Sequence, residues 1–157
     1  MNKTTLIVAL LLFCIAAVVG YKLNNTNQKN VALLAASDPD CELRDGPCLA
    51  ELPAGGSIEF SIEPHSIPLM KPLSLTINLR DIDATAAEID FVGIGMNMGY
   101  NRPQLKKTGS TRFEGKTTLP VCILQRMPWE ARLLLETDSG TVMAPFRFHT
   151  EKSPASQ

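Results

Sequence analysis

The chain has 157 residues, of which 45% are hydrophobic and 20% are charged, enough for one ordinary hydrophobic core. Fifteen basic and sixteen acidic side chains give a formal net charge of -1, and the only basic doublet is Lys106-Lys107. This composition argues against a nucleic-acid partner, because nothing supplies the concentrated positive field that phosphate binding needs.

The N-terminus carries a short apolar segment, LIVALLLFCIAAVVG, from Leu6 to Gly20. It predicts a signal anchor or signal peptide over residues 1–21. Signal cleavage prefers small residues at the third and first positions before the cut, and Val18 and Gly20 fit only loosely. Tyr21 resembles the aromatic edge of a retained helix. The pattern therefore favours an uncleaved anchor that attaches the protein to a membrane.

Beyond this segment the composition changes twice. Residues 22–40 are rich in Asn, Gln, Lys and Ser and predict a flexible tether. We predict a β-domain over residues 41–150 and a short C-terminal tail over residues 151–157. The expected location is a bacterial inner membrane, crossed once, with the C-terminal domain in the periplasm. If the signal is cleaved, the domain is secreted to the periplasm instead.

The domain sequence alternates polar and apolar residues in short runs bounded by proline or glycine. Asp138-Ser139-Gly140 has the composition of a hairpin turn between the last two runs. Since no long helical period follows the N-terminal segment, we predict an all-β fold. Its expected form is an immunoglobulin-like antiparallel β-sandwich preceded by one N-terminal hydrophobic helix, with a partly open barrel as the main alternative. The predicted strands are Ser57–Glu63, Leu73–Leu79, Glu88–Met98, Thr111–Leu119, Trp129–Thr137 and Thr141–Thr150.

Three cysteines lie outside the N-terminal segment. A turn at Asp45-Gly46-Pro47 can fold the chain back on itself, which makes Cys41–Cys48 the natural disulfide. Cys122 is then left over, as a thiol that is reactive, metal-binding or intermolecular. In the alternative, Cys122 pairs with Cys41 or Cys48 and leaves a different cysteine free. The sequence alone does not choose among these connectivities.

Two methionines alternate in the stretch GMNMG, at Met96 and Met98. If the predicted strand runs through them, both side chains project from the same face, because residues i and i+2 of a strand do so. Thioethers are soft ligands suited to Cu(I). Methionine also fills irregular cores, and Val92 and Ile94 share the same parity, which is typical of a buried face. On spacing alone, the pattern favours core packing.

A second sulfur-bearing segment shifts this balance. Cys122 and Met127 lie in a proline-bounded loop immediately before the strand that Trp129 opens. In an antiparallel β-domain, this loop and the end of the methionine strand can meet at one pole. We therefore predict a Cu(I) site formed by Met96, Met98, Cys122 and Met127. One thiolate with several thioethers is a low-charge, soft donor set that favours Cu(I) over hard ions.

The order of sequence features after the two methionines is also informative. After Met-x-Met-Gly come a polar loop with Leu105, a glycine-containing strand at Phe113–Gly115, and then Trp129 opening a strand of alternating residues. This order resembles the small immunoglobulin-like domains of the YtkA and FixH type, over roughly residues 58–150. The resemblance implies an extracytoplasmic domain for copper handling, linked to a membrane-bound partner in respiratory oxidase assembly. It carries over only Met96 and Met98 as ligands, and this chain departs from the pattern in its few histidines and in adding Cys122.

Two other classes of function compete with copper handling. In one, the protein is a metal-free assembly or scaffold protein that contacts a membrane complex, with Tyr100 as an exposed interface anchor. In the other, Cys122 pairs with His65 or His149 as an enzyme nucleophile and base. No local catalytic signature supports this second class, so we predict that the protein is not an enzyme. Each histidine is expected to have a surface or hydrogen-bonded role.

Overall fold

The structure, a computed structural model, describes residues 10–18 and 31–152. The chain divides into two compact units, Met1–Asn30 and Val31–Gln157. In the first unit, residues 10–18 form a short helix. Among the described residues, no helix has the length and apolar character needed to span a bilayer. The rest of the predicted anchor and the first part of the predicted tether, residues 1–9 and 19–30, lie outside the described residues, as do residues 153–157 of the predicted tail.

The second unit is mostly β, as predicted, and its ten described strands form a single sheet. The order across the sheet is β1-β10-β9-β6-β7-β8-β5-β4-β3-β2. All described neighbours are antiparallel except β1 and β10, which run parallel. The strands are β1 (Val31–Leu34), β2 (Ala36–Ser37), β3 (Cys48–Glu51), β4 (Ser57–Glu63), β5 (Leu73–Arg80), β6 (Ala86–Gly93), β7 (Gln104–Lys107), β8 (Arg112–Thr117), β9 (Arg126–Thr137) and β10 (Gly140–Glu151).

The two ends of this order are joined by one stretch of chain. Strand β1 pairs with β10 and strand β2 pairs with β3, yet only Ala35 separates β1 from β2. The Ala35 N–H donates to the carbonyl oxygen of Met143 at 2.8 Å, which continues the contact with β10. The single sheet is therefore nearly barrel-shaped, and we call it the barrel for short.

The strand predictions succeed where the alternation is longest. Strand β4 has the predicted bounds, and the hairpin between β9 and β10 turns at Asp138-Ser139 as expected. Strands β1, β2, β3 and β7 were not predicted, because each is short. Strands β1 and β2 fall inside residues 22–40, so the β unit begins at Val31 rather than Cys41. This segment is ordered by pairing, since it covers the otherwise open edges of β10 and β3.

The predicted strand Glu88–Met98 is wrong at its C-terminal end. Strand β6 ends at Gly93, so Met96 and Met98 lie in a loop and not side by side on a strand face. Gly95 and Gly99 have φ values of +84° and +82°, which an extended strand excludes. The glycines that flank the two methionines therefore end the strand and turn the chain.

One face of the sheet forms the core, as the alternation predicts. Trp129, Ala131, Leu133 and Leu135 of β9 are all buried. The Trp129 ring stacks on Phe148 of β10 with a centroid separation of 6.2 Å, and its indole N–H donates to the Thr150 hydroxyl at 3.0 Å. This aromatic group lies at the end of the barrel where β9 begins.

The disulfide joins Cys41 to Cys48, which confirms the predicted pairing. It closes a loop between residues seven apart in sequence and fixes the start of β3.

A disulfide that closes a loop of this length stabilises the folded state by about 2.5 kcal/mol in the chain-entropy treatment. We expect Cys41→Ala/Cys48→Ala to lower the unfolding free energy by about that amount in urea titrations. Reduced wild-type protein provides an independent comparison, because it also lacks the disulfide. An unchanged unfolding free energy in both the variant and the reduced protein would contradict this assignment.

Candidate metal centre

The pairing of β6 with β9 brings the two sulfur-bearing segments to one end of the barrel. Gly93, the last residue of β6, lies opposite Trp129 in the antiparallel ladder. The chain that leaves β6 and the chain that enters β9 therefore run next to each other. One further bond extends the contact, because the Ile94 N–H donates to the Pro128 carbonyl oxygen at 3.0 Å. Antiparallel pairing thus produces the meeting of loops that the sequence predicts at one pole.

We call residues 94–101 the methionine loop and residues 118–125 the cysteine loop. Asn101 links the two: its side-chain amide donates to the Thr118 carbonyl oxygen at 2.9 Å and accepts from the Thr117 hydroxyl at 3.0 Å. Its own carbonyl oxygen accepts from the Phe91 N–H at 3.0 Å, which holds it beside β6. Both loops are therefore tied to the barrel and to each other where the sulfurs converge.

Three sulfurs meet between these loops. The Cys122 Sγ lies 3.6 Å from the Met96 Sδ and 3.8 Å from the Met127 Sδ. A thiol carries one proton and can donate it to only one of these thioethers at a time. The Cys122 Sγ also accepts the Leu124 N–H at 3.5 Å. The thiolate is the form of cysteine that binds metals.

These separations can be compared with those of a metal–sulfur site. A zinc–thiolate bond is about 2.3 Å long, and three sulfurs at that distance around one ion in a plane lie about 4.0 Å apart. The two sulfur separations at Cys122, 3.6 and 3.8 Å, are shorter by only a few tenths of an ångström. A small outward movement of Met96 and of Met127 would therefore bring each of these two separations to that expected around a shared ion.

Burial divides the sulfurs into an inner and an outer set. Cys122 is 5% exposed and Met127 is 1% exposed, whereas Met96 and Met98 are half-buried and pack against the core. Met127 was predicted in a loop, but it belongs to β9 and lies on the same face as Trp129. Pro128 is tolerated within β9 because the ladder between β9 and β6 stops at Trp129. Proline has no N–H to donate, but no acceptor in β6 requires one at this position.

Met98 adjoins this cluster through its side-chain carbons. Its Cγ and the Met127 Cε both lie within 2.7 Å of the point above Gly93 where a Cβ would stand. Met98 therefore packs across Gly93 beside Met127. The structure brings together three of the four predicted ligands and places the fourth next to them.

The two loops that carry the cluster are uncharged, although Arg126 follows the cysteine loop directly and lines a pocket together with Ile94. Residues 94–101 and 118–125 contain no Asp, Glu, Lys or Arg. A monovalent ion with one thiolate would leave this region neutral, whereas a divalent ion would leave a net charge in a largely buried place, which costs free energy. Within the two loops themselves, this charge balance is compatible with a monovalent soft ion.

Both histidine rings lie close to a carboxylate oxygen, which fits their predicted hydrogen-bonded roles. His149 Nδ1 is 2.6 Å from Glu42 Oε2, and His65 Nε2 is 3.3 Å from Glu63 Oε1. Within residues 10–18 and 31–152, no group of three or more His, Cys, Asp and Glu side chains is arranged to hold a metal.

Comparison with protein families, curated proteins and solved structures gives no significant match for this chain.

The roles of two residues at the centre were not predicted from the sequence. Asn101 looks like an ordinary turn residue in the stretch GYNRP, and Gly93 looks like a strand residue in FVGIG. Their roles depend on which loops lie across from them, and local composition carries no signal for that. Only the alternation of methionine with glycine could have indicated a loop at this place.

Proposed function

We propose that this protein is a membrane-tethered periplasmic binding module that holds Cu(I) and passes it to a partner on the same membrane. The convergence of the Cys122 thiol with the thioethers of Met96 and Met127 carries the proposal. Cu(I) prefers such soft, low-charge donors, and thioethers exchange readily with the donors of a partner. Met98, beside Met127, is the fourth ligand of the proposed site.

The position of the site in the β unit suits transfer. Val31 pairs with Thr141 next to the β9–β10 hairpin, whereas Arg126 and Glu151 pair at the other end of the same two strands. Strand β1 therefore begins at the end of β10 opposite the sulfurs. In this proposal the sulfur end contacts the partner, and a tether to the membrane raises the concentration of the domain near that partner.

The membrane anchor and the partner belong to the same proposal. The anchor rests on the apolar composition of Leu6 to Gly20. The link to respiratory oxidase assembly, and the two-layered immunoglobulin-like form of the β unit, rest on the resemblance to domains of the YtkA and FixH type. Variants that lose copper would then lower oxidase activity in cells, and supply of excess copper would restore it.

The first test replaces one thioether at a time. We expect Met96→Leu to weaken Cu(I) binding at least about tenfold, since loss of even an outer-shell partner commonly costs metal sites 10- to 100-fold. Leucine keeps the volume and removes the sulfur. Met143→Leu is the matched control, because Met143 is also half-buried but lies on β10 opposite Leu34. Competition with a chromophoric Cu(I) chelator measures both, and equal affinities in the two variants would remove Met96 from the site.

A metal-free assembly protein is the second candidate, and a surface feature favours it. Exposed apolar side chains surround the sulfur cluster on both loops, and such patches on monomers commonly mark interaction sites. They are Ile94, Tyr100, Val121, Ile123 and Leu124. Under this alternative, Tyr100→Ser or Ile123→Ser abolishes the cellular function while Cys122→Ala retains it. Copper handling predicts that Cys122→Ala abolishes the function as well.

A further inference from the structure

We propose that Gly93 is the positioning residue of the sulfur cluster. Its missing side chain creates the space in which the methionine loop folds back onto the end of β6. Without that space, Met96 could not reach Cys122. The effect on copper rests on the proposed function, but the effect on the metal-free cluster does not.

The packing around Gly93 is too close for any larger residue. A Cβ at this position would lie 2.6 Å from the Met127 Cε, 2.7 Å from the Met98 Cγ and 2.7 Å from the Met96 carbonyl oxygen. Carbon atoms in real side chains do not approach other heavy atoms below about 3.0 Å. A change of rotamer could move the two side chains aside. It could not move the Met96 carbonyl oxygen, so the loop backbone itself would have to shift.

Space distinguishes Gly93 from the other glycines of this segment. Gly95 and Gly99 have positive φ values, and nothing lies within 4 Å of the place where their Cβ would stand. Glycine is needed at these two positions because of their backbone conformation. Gly93 sits in the ladder of β6 opposite Trp129, where an L-residue is conformationally acceptable. The need for glycine there comes from the sulfur-bearing residues packed over it.

The consequence for the cluster follows from the direction of the shift. The Met96 carbonyl and the Met98 side chain are pushed away from β6. The Met127 methyl also turns aside, but the backbone of Met127 is held in β9, and Cys122 lies in the cysteine loop. Met96 therefore separates from Cys122, and the two buried sulfurs remain. A site of three sulfurs becomes a site of two.

The test uses the full-length protein and Gly93→Ala. Without metal, we expect the nuclear Overhauser contact between the Met96 methyl and the Cys122 β-protons to disappear, and alkylation of Cys122 to accelerate at least about tenfold, as expected for a buried thiol that becomes exposed. With Cu(I), copper X-ray absorption should show two protein sulfur ligands, in place of the three or more expected for wild-type protein. Gly115→Ala is the matched control, because it also lies in a strand and its Cβ would fit more easily. The nearest atom would be the Leu105 Cγ at 3.2 Å, and the nearest backbone atoms, at 3.6 and 3.7 Å, are in ordinary contact. This variant should leave all three readouts unchanged.

The outcomes separate this inference from the proposed function. If the contact between Met96 and Cys122 persists in Gly93→Ala, the inference is wrong, whatever copper does. If the contact is lost but wild-type protein binds no copper, Gly93 positions the cluster and the copper function fails. Should Gly93→Ala not fold, the wild-type protein decides. The Gly93 α-protons must then show contacts to the Met127 methyl and the Met98 γ-protons, and their absence overturns the inference.

Discussion

Cys122→Ala is expected to lower the affinity for Cu(I) at least about 100-fold, the largest effect of any single substitution at the site. Cys122 supplies the only anionic donor of the cluster, and its Sγ contacts the sulfurs of both Met96 and Met127. Metal binding to a thiol also releases its proton. Calorimetry in buffers of different ionisation enthalpy should therefore detect about one proton released per Cu(I) in wild-type protein and none in the variant.

The choice of alanine keeps this result interpretable. Serine would place a hydroxyl in a buried sulfur environment, which costs about 1–3 kcal/mol if it remains unpaired. Alanine leaves a small cavity at a residue that is 5% exposed. Circular dichroism and the urea midpoint should confirm that the barrel remains folded. Retention of wild-type affinity and proton release in a folded Cys122→Ala protein would show that the thiol is not a ligand.

Trp129→Ala is expected to lower the unfolding free energy by about 4 kcal/mol. Trp129 is 1% exposed, stacks on Phe148 and donates its indole N–H to Thr150. Its removal leaves a cavity at the end of the barrel below the sulfur cluster. Since Met127 lies two residues away on the same face of β9, its support also weakens. Urea unfolding and the alkylation rate of Cys122 measure the two effects.

A graded series separates packing from hydrogen bonding at this position. Trp129→Phe keeps an aromatic ring against Phe148 and removes the donor to Thr150, so it should cost less than the alanine variant. Thr150→Val removes only the acceptor and leaves a buried indole N–H without its partner, at a cost of about 1–3 kcal/mol. A loss below about 1 kcal/mol for Trp129→Ala would contradict the packing described here.

The fold was predictable where long alternating runs bury one face. The predicted strand Ser57–Glu63 is strand β4 with the same bounds. The face of β9 that carries Trp129, Ala131, Leu133 and Leu135 is buried as expected. Strands β1 and β2 were missed because they owe their order to pairing with β10 and β3, and not to an apolar pattern of their own. Continuous pairing across ten strands is likewise a tertiary property that no local pattern reveals.

The site was predictable in its composition but not in its geometry. The sequence indicated that Met96, Cys122 and Met127 could meet at one pole. In the structure the Met96 and Met127 sulfurs lie 3.6 and 3.8 Å from the Cys122 sulfur. The expected reason was a strand through Met96 and Met98, and that strand does not exist. The sulfurs meet because the loop folds back at Gly93, a residue whose importance depends on Met98 and Met127 packing over it. Side-chain packing of this kind is not encoded in any short stretch of sequence.

Copper X-ray absorption on the Cu(I)-loaded protein tests the central claim most directly. We predict at least three sulfur ligands at about 2.3 Å from a single copper ion, as expected for soft-metal sulfur coordination. The Met96→Leu and Cys122→Ala variants should each lose one of these sulfurs or the metal itself. A copper environment of nitrogen and oxygen donors alone, or wild-type protein that retains no Cu(I), would contradict the assignment of Met96, Cys122 and Met127 as a metal centre.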